Sequence, residues 1–283
     1  MEIDSPVLMD EGPPSAGLAR AAVGGVLWET LSFIAGKLLT LAATIVLARL
    51  LTPEDFGVVT LALVFITYAE VITDLGVARA LVYLPGHPRR TDAALSLALL
   101  WSSALVVAAM LTAPAVAGFF GRPEVTPMIR VLSVSLLLGG IGEIPDSLLR
   151  KGLRFRRRLI VSFSRSLARG VVSVALALAG FGAWAIVAGH VVSYVVWNAV
   201  AWPLSGARPT RRFWRLSRSI VRPLVAYGVP VAANSLLLTL VFNVDYLIIG
   251  RRLGPEALGL YTLAFRVPEM LIIQALWVFG AVT

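Results

Sequence analysis

A chain of 283 residues that is 58% hydrophobic and only 14% charged, with a mean hydropathy of +0.85, lies well outside the range of soluble domains, and lipid is its natural solvent. The absence of cysteine excludes disulfides, thiolate metal sites and cysteine nucleophiles. The net charge of +9 comes with no aromatic-interleaved basic face and no nucleic-acid motif, so membrane topology and lipid headgroups account for it and nucleic acid is not an expected partner.

Residues 1–20 carry Glu2, Asp4, Asp10, Glu11 and a Gly-Pro-Pro stretch and read as a disordered tail. They lack the basic start of a signal peptide, so the first apolar run is expected to stay as a helix. With about 20 apolar residues needed per crossing, eight spans are predicted at roughly 26–48, 57–83, 93–117, 128–149, 159–180, 183–203, 226–249 and 257–282. The fourth is interrupted by Gly139, Gly140, Gly142 and Pro145, and a bend there is tolerable only where neighbouring helices or water satisfy the freed backbone groups.

Basic residues alternate between loops. Arg79, Arg89 and Arg90 follow span two, the cluster from Arg150 to Arg158 follows span four, and the cluster from Arg208 to Arg222 follows span six. They far outnumber Arg49, Arg122, Arg130, Arg251 and Arg252 in the other loops. The bias predicts a cytoplasmic N-terminus.

The stretch ARLLTPEDFGVVTLAL at 48–63 recurs as GRRLGPEALGLYTLAF at 250–265. In each copy an apolar helix ends in arginine, turns through Pro-Glu and returns from a glycine. Proline suits a first helical turn, a carboxylate there complements the helix dipole, and glycine permits close helix approach. The copies cross in the same direction, as in a parallel transporter repeat. The expected organisation is a tail at 1–20, a six-helix lobe at 21–204, a basic cytoplasmic linker at 205–225, and the first two helices of a second, truncated lobe at 226–283.

Ionisable residues inside a membrane are costly and mark functional positions. Counting about 1.5 Å per residue puts Lys37, Arg169 and Arg266 near one depth, with Arg165 one turn from Arg169. These cations are candidate cavity-lining anion ligands, since a guanidinium fork matches phosphate oxygens. Internal pairing, Lys37 with Glu70 or Arg266 with Glu269, is the structural alternative. Glu70 and Asp74 share a helix face and read either as coupling carboxylates or as pairing partners. Asn234 and Asn243 suit hydrogen bonds to a polar ligand or between helices. His190 reads as a buried imidazole before a proton relay. The tryptophans lie mostly near span ends and most of them read as interfacial anchors, with Trp184 and Tyr194 as ring-stacking candidates.

The motifs LARLLTPEDFG (47–57), DLGVARALV (74–82), Ala113-Pro114, FFGRPEV (119–125), LLRKGLRFRR (148–157), GFGAWAIVAGHV (180–191) and VDYLIIGRRLGPEALGLYTLAFRVPE (244–269) resemble, in this order, the Wzx-type oligosaccharide flippases. Those belong to the MOP superfamily, which also holds the MATE exporters. The resemblance implies an all-α, polytopic, MATE-like helix bundle around a central cavity that opens alternately to each side of a bacterial plasma membrane. It further implies a lipid-linked oligosaccharide as cargo, carried on undecaprenyl pyrophosphate, with polymerase and export machinery as pathway partners. A cation-coupled MATE-type exporter and a non-transporting fragment are the alternatives. No GxxxxGK[ST], HExxH or GxSxG motif occurs, so neither an enzyme nor a cofactor or metal site is expected.

Overall fold

The computed structural model describes residues 36–73, 77–78, 81, 90–152, 154–207 and 218–265. The helices are α1 (36–50), α2 (Pro53–Thr73), α3 (Arg90–Phe120), α4 (Val125–Leu132), α5 (Val134–Lys151), α6 (Phe155–Leu178), α7 (Ala183–Ser205), α8 (Arg218–Arg252) and α9 (254–265). Every expected span has a helix in its described part, with α4 and α5 sharing the fourth. Among the described residues, six stretches are long and apolar enough to cross a membrane. Side chains such as Leu111 and Val241 are 75% and 69% exposed, as apolar residues in contact with acyl chains would be. The fold is an all-α, polytopic bundle.

Two faces orient the bundle. At the basic face, α5 ends at Arg150 and Lys151 and α6 begins. At the opposite, turn face the two copies of the repeat reverse direction. Thr52 caps α2 there: its backbone N–H and hydroxyl both donate to Asp55 Oδ2, at 3.0 and 2.8 Å, and the Asp55 N–H returns to Thr52 Oγ1 at 3.2 Å. This reciprocal box satisfies the helix's first orphan donors. The other Asp55 oxygen accepts the Ala183 N–H at 3.3 Å, joining the starts of α2 and α7, and Glu54 pairs with Arg122 at 2.9 Å.

The copies meet each other at this face. A Cβ on Gly57 would lie 1.7 Å from the Pro255 carbonyl oxygen, and one on Gly259 would lie 1.8 Å from that of Pro53. The Thr60 and Thr262 hydroxyls approach to 3.4 Å between them. Backbone therefore packs on backbone, which only glycine allows.

The fourth span is interrupted before its glycines. The interruption lies at Ser133, between α4 and α5, whereas Gly139 through Pro145 belong to continuous helix. The glycines serve contact: a Cβ on Gly140 would stand 3.0 Å from Ser102, and one on Gly142 only 2.9 Å from the Trp197 ring. They let α3 and α7 close on α5. Between α6 and α7, the most extensively packed pair, a Cβ on Gly189 would fall 2.0 Å from Ser173 Oγ. α8 begins at Arg218, inside the stretch read as a linker; residues 1–35 and 208–217 lie outside the described set.

Candidate functional site

The site forms where α6 and α7 pack, and its register is set at the basic face. Arg154 and Arg157 donate to the Ser205 and Leu204 carbonyls, at 3.2 and 2.8 Å, so the start of α6 caps the end of α7. Cations are favourable there because the last carbonyls of a helix are unsatisfied and carry its negative pole. From that anchor Arg165 and Arg169 follow at one-turn spacing along α6. His190, Tyr194 and Trp197 lie on a single stripe of α7, at i, i+4 and i+7.

Arg165 rests on that stripe. Its guanidinium carbon stands 4.1 Å from the centroid of the Tyr194 ring and 4.4 Å from that of Trp197. A cation over an aromatic face is attracted by the ring quadrupole, and the rings brace the guanidinium without consuming its N–H groups. Arg165 makes no hydrogen bond or ion pair among the described residues. Five donors stay available in a planar fork.

Beside it stands Glu70 of α2, whose Oε1 gathers three groups: the Tyr194 hydroxyl donates at 2.7 Å, Ser135 Oγ lies at 3.2 Å with its one proton shared with the Leu132 carbonyl at 2.7 Å, and His190 Nε2 lies at 3.2 Å. Tyr194 is 6% exposed and His190 likewise, so the carboxylate supplies partners that buried polar groups require.

Two cavities meet at this cluster. One, of about 520 Å³, runs toward the basic face past Ser147 and Arg150, with Ser235 and Thr239 of α8 on its far wall. The other, of about 430 Å³, runs toward the turn face and is lined by Thr40, Thr44, Asn243 and Thr262 among apolar neighbours. Thr67, Glu70, Arg165 and Tyr194 border both. The arrangement offers one braced cation between two chambers rich in hydroxyl groups, suited to an anionic group attached to a polar body. Among the described residues no three His, Cys, Asp or Glu gather as a metal site would need.

Of the residues expected from the sequence, Arg165 and Glu70 come together at the junction, and Arg169 lines the second cavity only. Lys37 is exposed on α1, one turn before Thr40, and Asn234 is exposed on α8 beside Ser235. Glu70 takes its hydrogen bonds from Tyr194, Ser135 and His190 rather than from Lys37. Asn243 borders the second cavity while its amide donates to the Thr239 carbonyl at 2.9 Å. Asp74, Arg266 and Glu269 lie outside the described residues. Trp197 is no interfacial anchor: it is 5% exposed and lies under Arg165. The tie between Tyr194 and Glu70 was not anticipated, although the one-face spacing of His190, Tyr194 and Trp197 carried the signal for it.

The model of a family described as polysaccharide biosynthesis protein matches residues 46–282. The succinoglycan biosynthesis transport protein ExoT of Rhizobium meliloti (strain 1021) is 28% identical over 265 residues, covering 91% of this chain and 52% of that protein. The lipopolysaccharide biosynthesis protein WzxC of Escherichia coli (strain K12) is 26% identical over 269 residues, covering 88% and 51%. The chain thus spans about half the length of the curated relatives it matches. Among solved structures, a MATE protein crystallised with Br-NRF superposes with a TM-score of 0.54 at 18% identity, over 88% of this chain and 63% of that one.

Proposed function

This chain belongs to the polysaccharide biosynthesis protein family, and from that footing we propose that it is part of a flippase moving undecaprenyl-pyrophosphate-linked oligosaccharide across a bacterial plasma membrane. In this reading the basic face is cytoplasmic, the turn face is external, and residues 21–204 and 226–283 contribute to two lobes around the path. The cargo enters through the chamber beside Arg150, its pyrophosphate settles on Arg165, and its sugars meet the hydroxyl-lined walls. The names of the relatives, which concern succinoglycan transport and lipopolysaccharide biosynthesis, support a surface-polysaccharide cargo.

The observation that carries the reading is Arg165: a guanidinium braced by Tyr194 and Trp197 at the junction of two cavities, with its donors uncommitted among the described residues. A bidentate guanidinium suits pyrophosphate, where charge and planar geometry act together. Arg169 supports the same charge from the second chamber. Lys37, Asn234, Asp74 and Arg266 stay candidates for contact with cargo or for coupling, the first two from exposed positions. Transporters of this fold hold their cargo without reacting it, so the chain is read as a carrier rather than an enzyme.

The test is reconstitution in liposomes with a fluorescent polyprenyl-pyrophosphate-linked sugar, following its loss from the loaded leaflet. Wild-type protein is expected to accelerate transfer and Arg165→Ala to slow it about tenfold or more, as removal of a charge-assisted bond does. Equal rates in the two proteins would overturn the assignment.

A further inference from the structure

We propose that Glu70 is a positioning residue for Arg165, acting through Tyr194: the carboxylate fixes the phenol, and the phenol ring fixes the guanidinium that receives the anion. The inference rests on the reading of Arg165 as a phosphate ligand and adds what holds that ligand in place. Glu70 and Arg165 form no ion pair among the described residues, so the path of direct contact from the acid to the guanidinium runs through Tyr194.

The chain of contacts is short and buried. Among the described residues Tyr194 OH makes one hydrogen bond, the 2.7 Å bond to Glu70 Oε1. The same oxygen faces Ser135 Oγ of α5 and His190 Nε2 of α7, each at 3.2 Å, with the Ser135 proton shared with the Leu132 carbonyl at 2.7 Å, so groups from α5 and α7 flank the carboxylate that Tyr194 bonds. Arg165 then stands 4.1 Å from the ring that Glu70 holds. A cation stacked on a ring follows the ring, because the attraction depends on its position over the face. With the carboxylate removed, Tyr194 loses the acceptor a buried hydroxyl needs and is free to swing away from Arg165.

Positioning and plain electrostatics predict opposite signs. A carboxylate near an anion site repels the anion, so if charge were all that mattered, either Glu70→Ala or Glu70→Gln would tighten binding. If Glu70 positions Tyr194, Glu70→Ala weakens binding, while Glu70→Gln, whose amide oxygen still accepts from the phenol, restores most of the loss. Tyr194→Phe keeps the ring and removes only the tether, so it should weaken binding as Glu70→Ala does.

The experiment is a titration of the purified chain in nanodiscs with farnesyl pyrophosphate, read by tryptophan fluorescence and by calorimetry. Expected are losses of about five- to tenfold for Glu70→Ala and for Tyr194→Phe, no further loss in the double variant, and recovery in Glu70→Gln. Wild-type or tighter binding by Glu70→Ala, equal loss in Ala and Gln, or multiplied losses in the double variant would overturn the proposal. If Glu70→Ala fails to fold, Tyr194→Phe decides alone, because it preserves packing, and wild-type affinity there overturns the proposal. Arg165→Ala is measured alongside: undiminished binding in that variant marks failure of the phosphate-ligand reading itself, and the positioning proposal falls with it.

Discussion

Gly57 and Pro255 meet backbone to backbone at the turn face, where a methyl group added to Gly57 would lie 1.7 Å from the Pro255 carbonyl oxygen. That contact joins the first copy of the repeat to the second. Gly57→Ala is therefore expected to force α2 and α9 apart and lower the thermal midpoint of the purified protein, by a loss of about 1–3 kcal/mol as overpacking typically costs. Gly118→Ala, where the added methyl meets nothing within 4 Å, is the control and should leave the midpoint unchanged or raise it. Melting of both variants in one detergent, followed by tryptophan fluorescence, checks the contrast.

Asp55 serves two helices at once. Its carboxylate takes the Thr52 donors and the Ala183 N–H, so Asp55→Ala strips both the α2 cap and the tie to α7. A loss of about 1–2 kcal/mol is expected, the range for removing a capping side chain. Thr52→Ala, which removes the hydroxyl bonds and leaves the Ala183 tie, should cost less. Chemical denaturation of the pair tests the order.

Gly142 governs Trp197. A Cβ there would stand 2.9 Å from the indole ring, so Gly142→Ala pushes the ring that braces Arg165. Weaker farnesyl pyrophosphate binding is expected, by about threefold or more, since small displacements forfeit contact energy quickly. A titration of this variant with unchanged affinity would show that the Trp197 face contributes nothing to holding the guanidinium.

Arg165→Lys retains charge and loses the fork. Because lysine is a point charge on a flexible stem, the liposome transfer rate should stay well below wild type, nearer to that of Arg165→Ala. Lys37→Gln, altering an exposed position on α1, is expected to change the rate less than either. A Lys37→Gln rate as low as that of Arg165→Ala would move the anion site toward α1.

The spans were legible because lipid imposes one rule on every crossing, a long apolar run, and the repeat was legible because its Pro-Glu turn is spelled twice. Arg165 stood out for the same reason: a charge is conspicuous among apolar residues. The break in the fourth span was misplaced because glycine signals equally a bend and a close contact. Gly139 to Gly142 serve contact with Tyr194, Ser102 and Trp197, partners on other helices. Trp197 departs from the anchor role expected of most tryptophans and lies in the core, since indole suits both settings. The bond from Tyr194 to Glu70 joins residues 124 positions apart, and it depends on how α2 and α7 are rotated against each other, which neither helix encodes alone.

The crossed contacts of the repeat have one more implication. Gly57 touches the Pro255 carbonyl while Gly259 touches that of Pro53, and Thr60 meets its own counterpart Thr262. Residue i on j′ and j on i′, with a third position facing itself on the axis, is the pattern of an isologous interface. The seam is built as two protomers of a symmetric dimer would build it, joined here in one polypeptide. Each position of the motif is thus represented on both sides of that axis, and a bulkier residue placed at both glycines would strain the same junction twice.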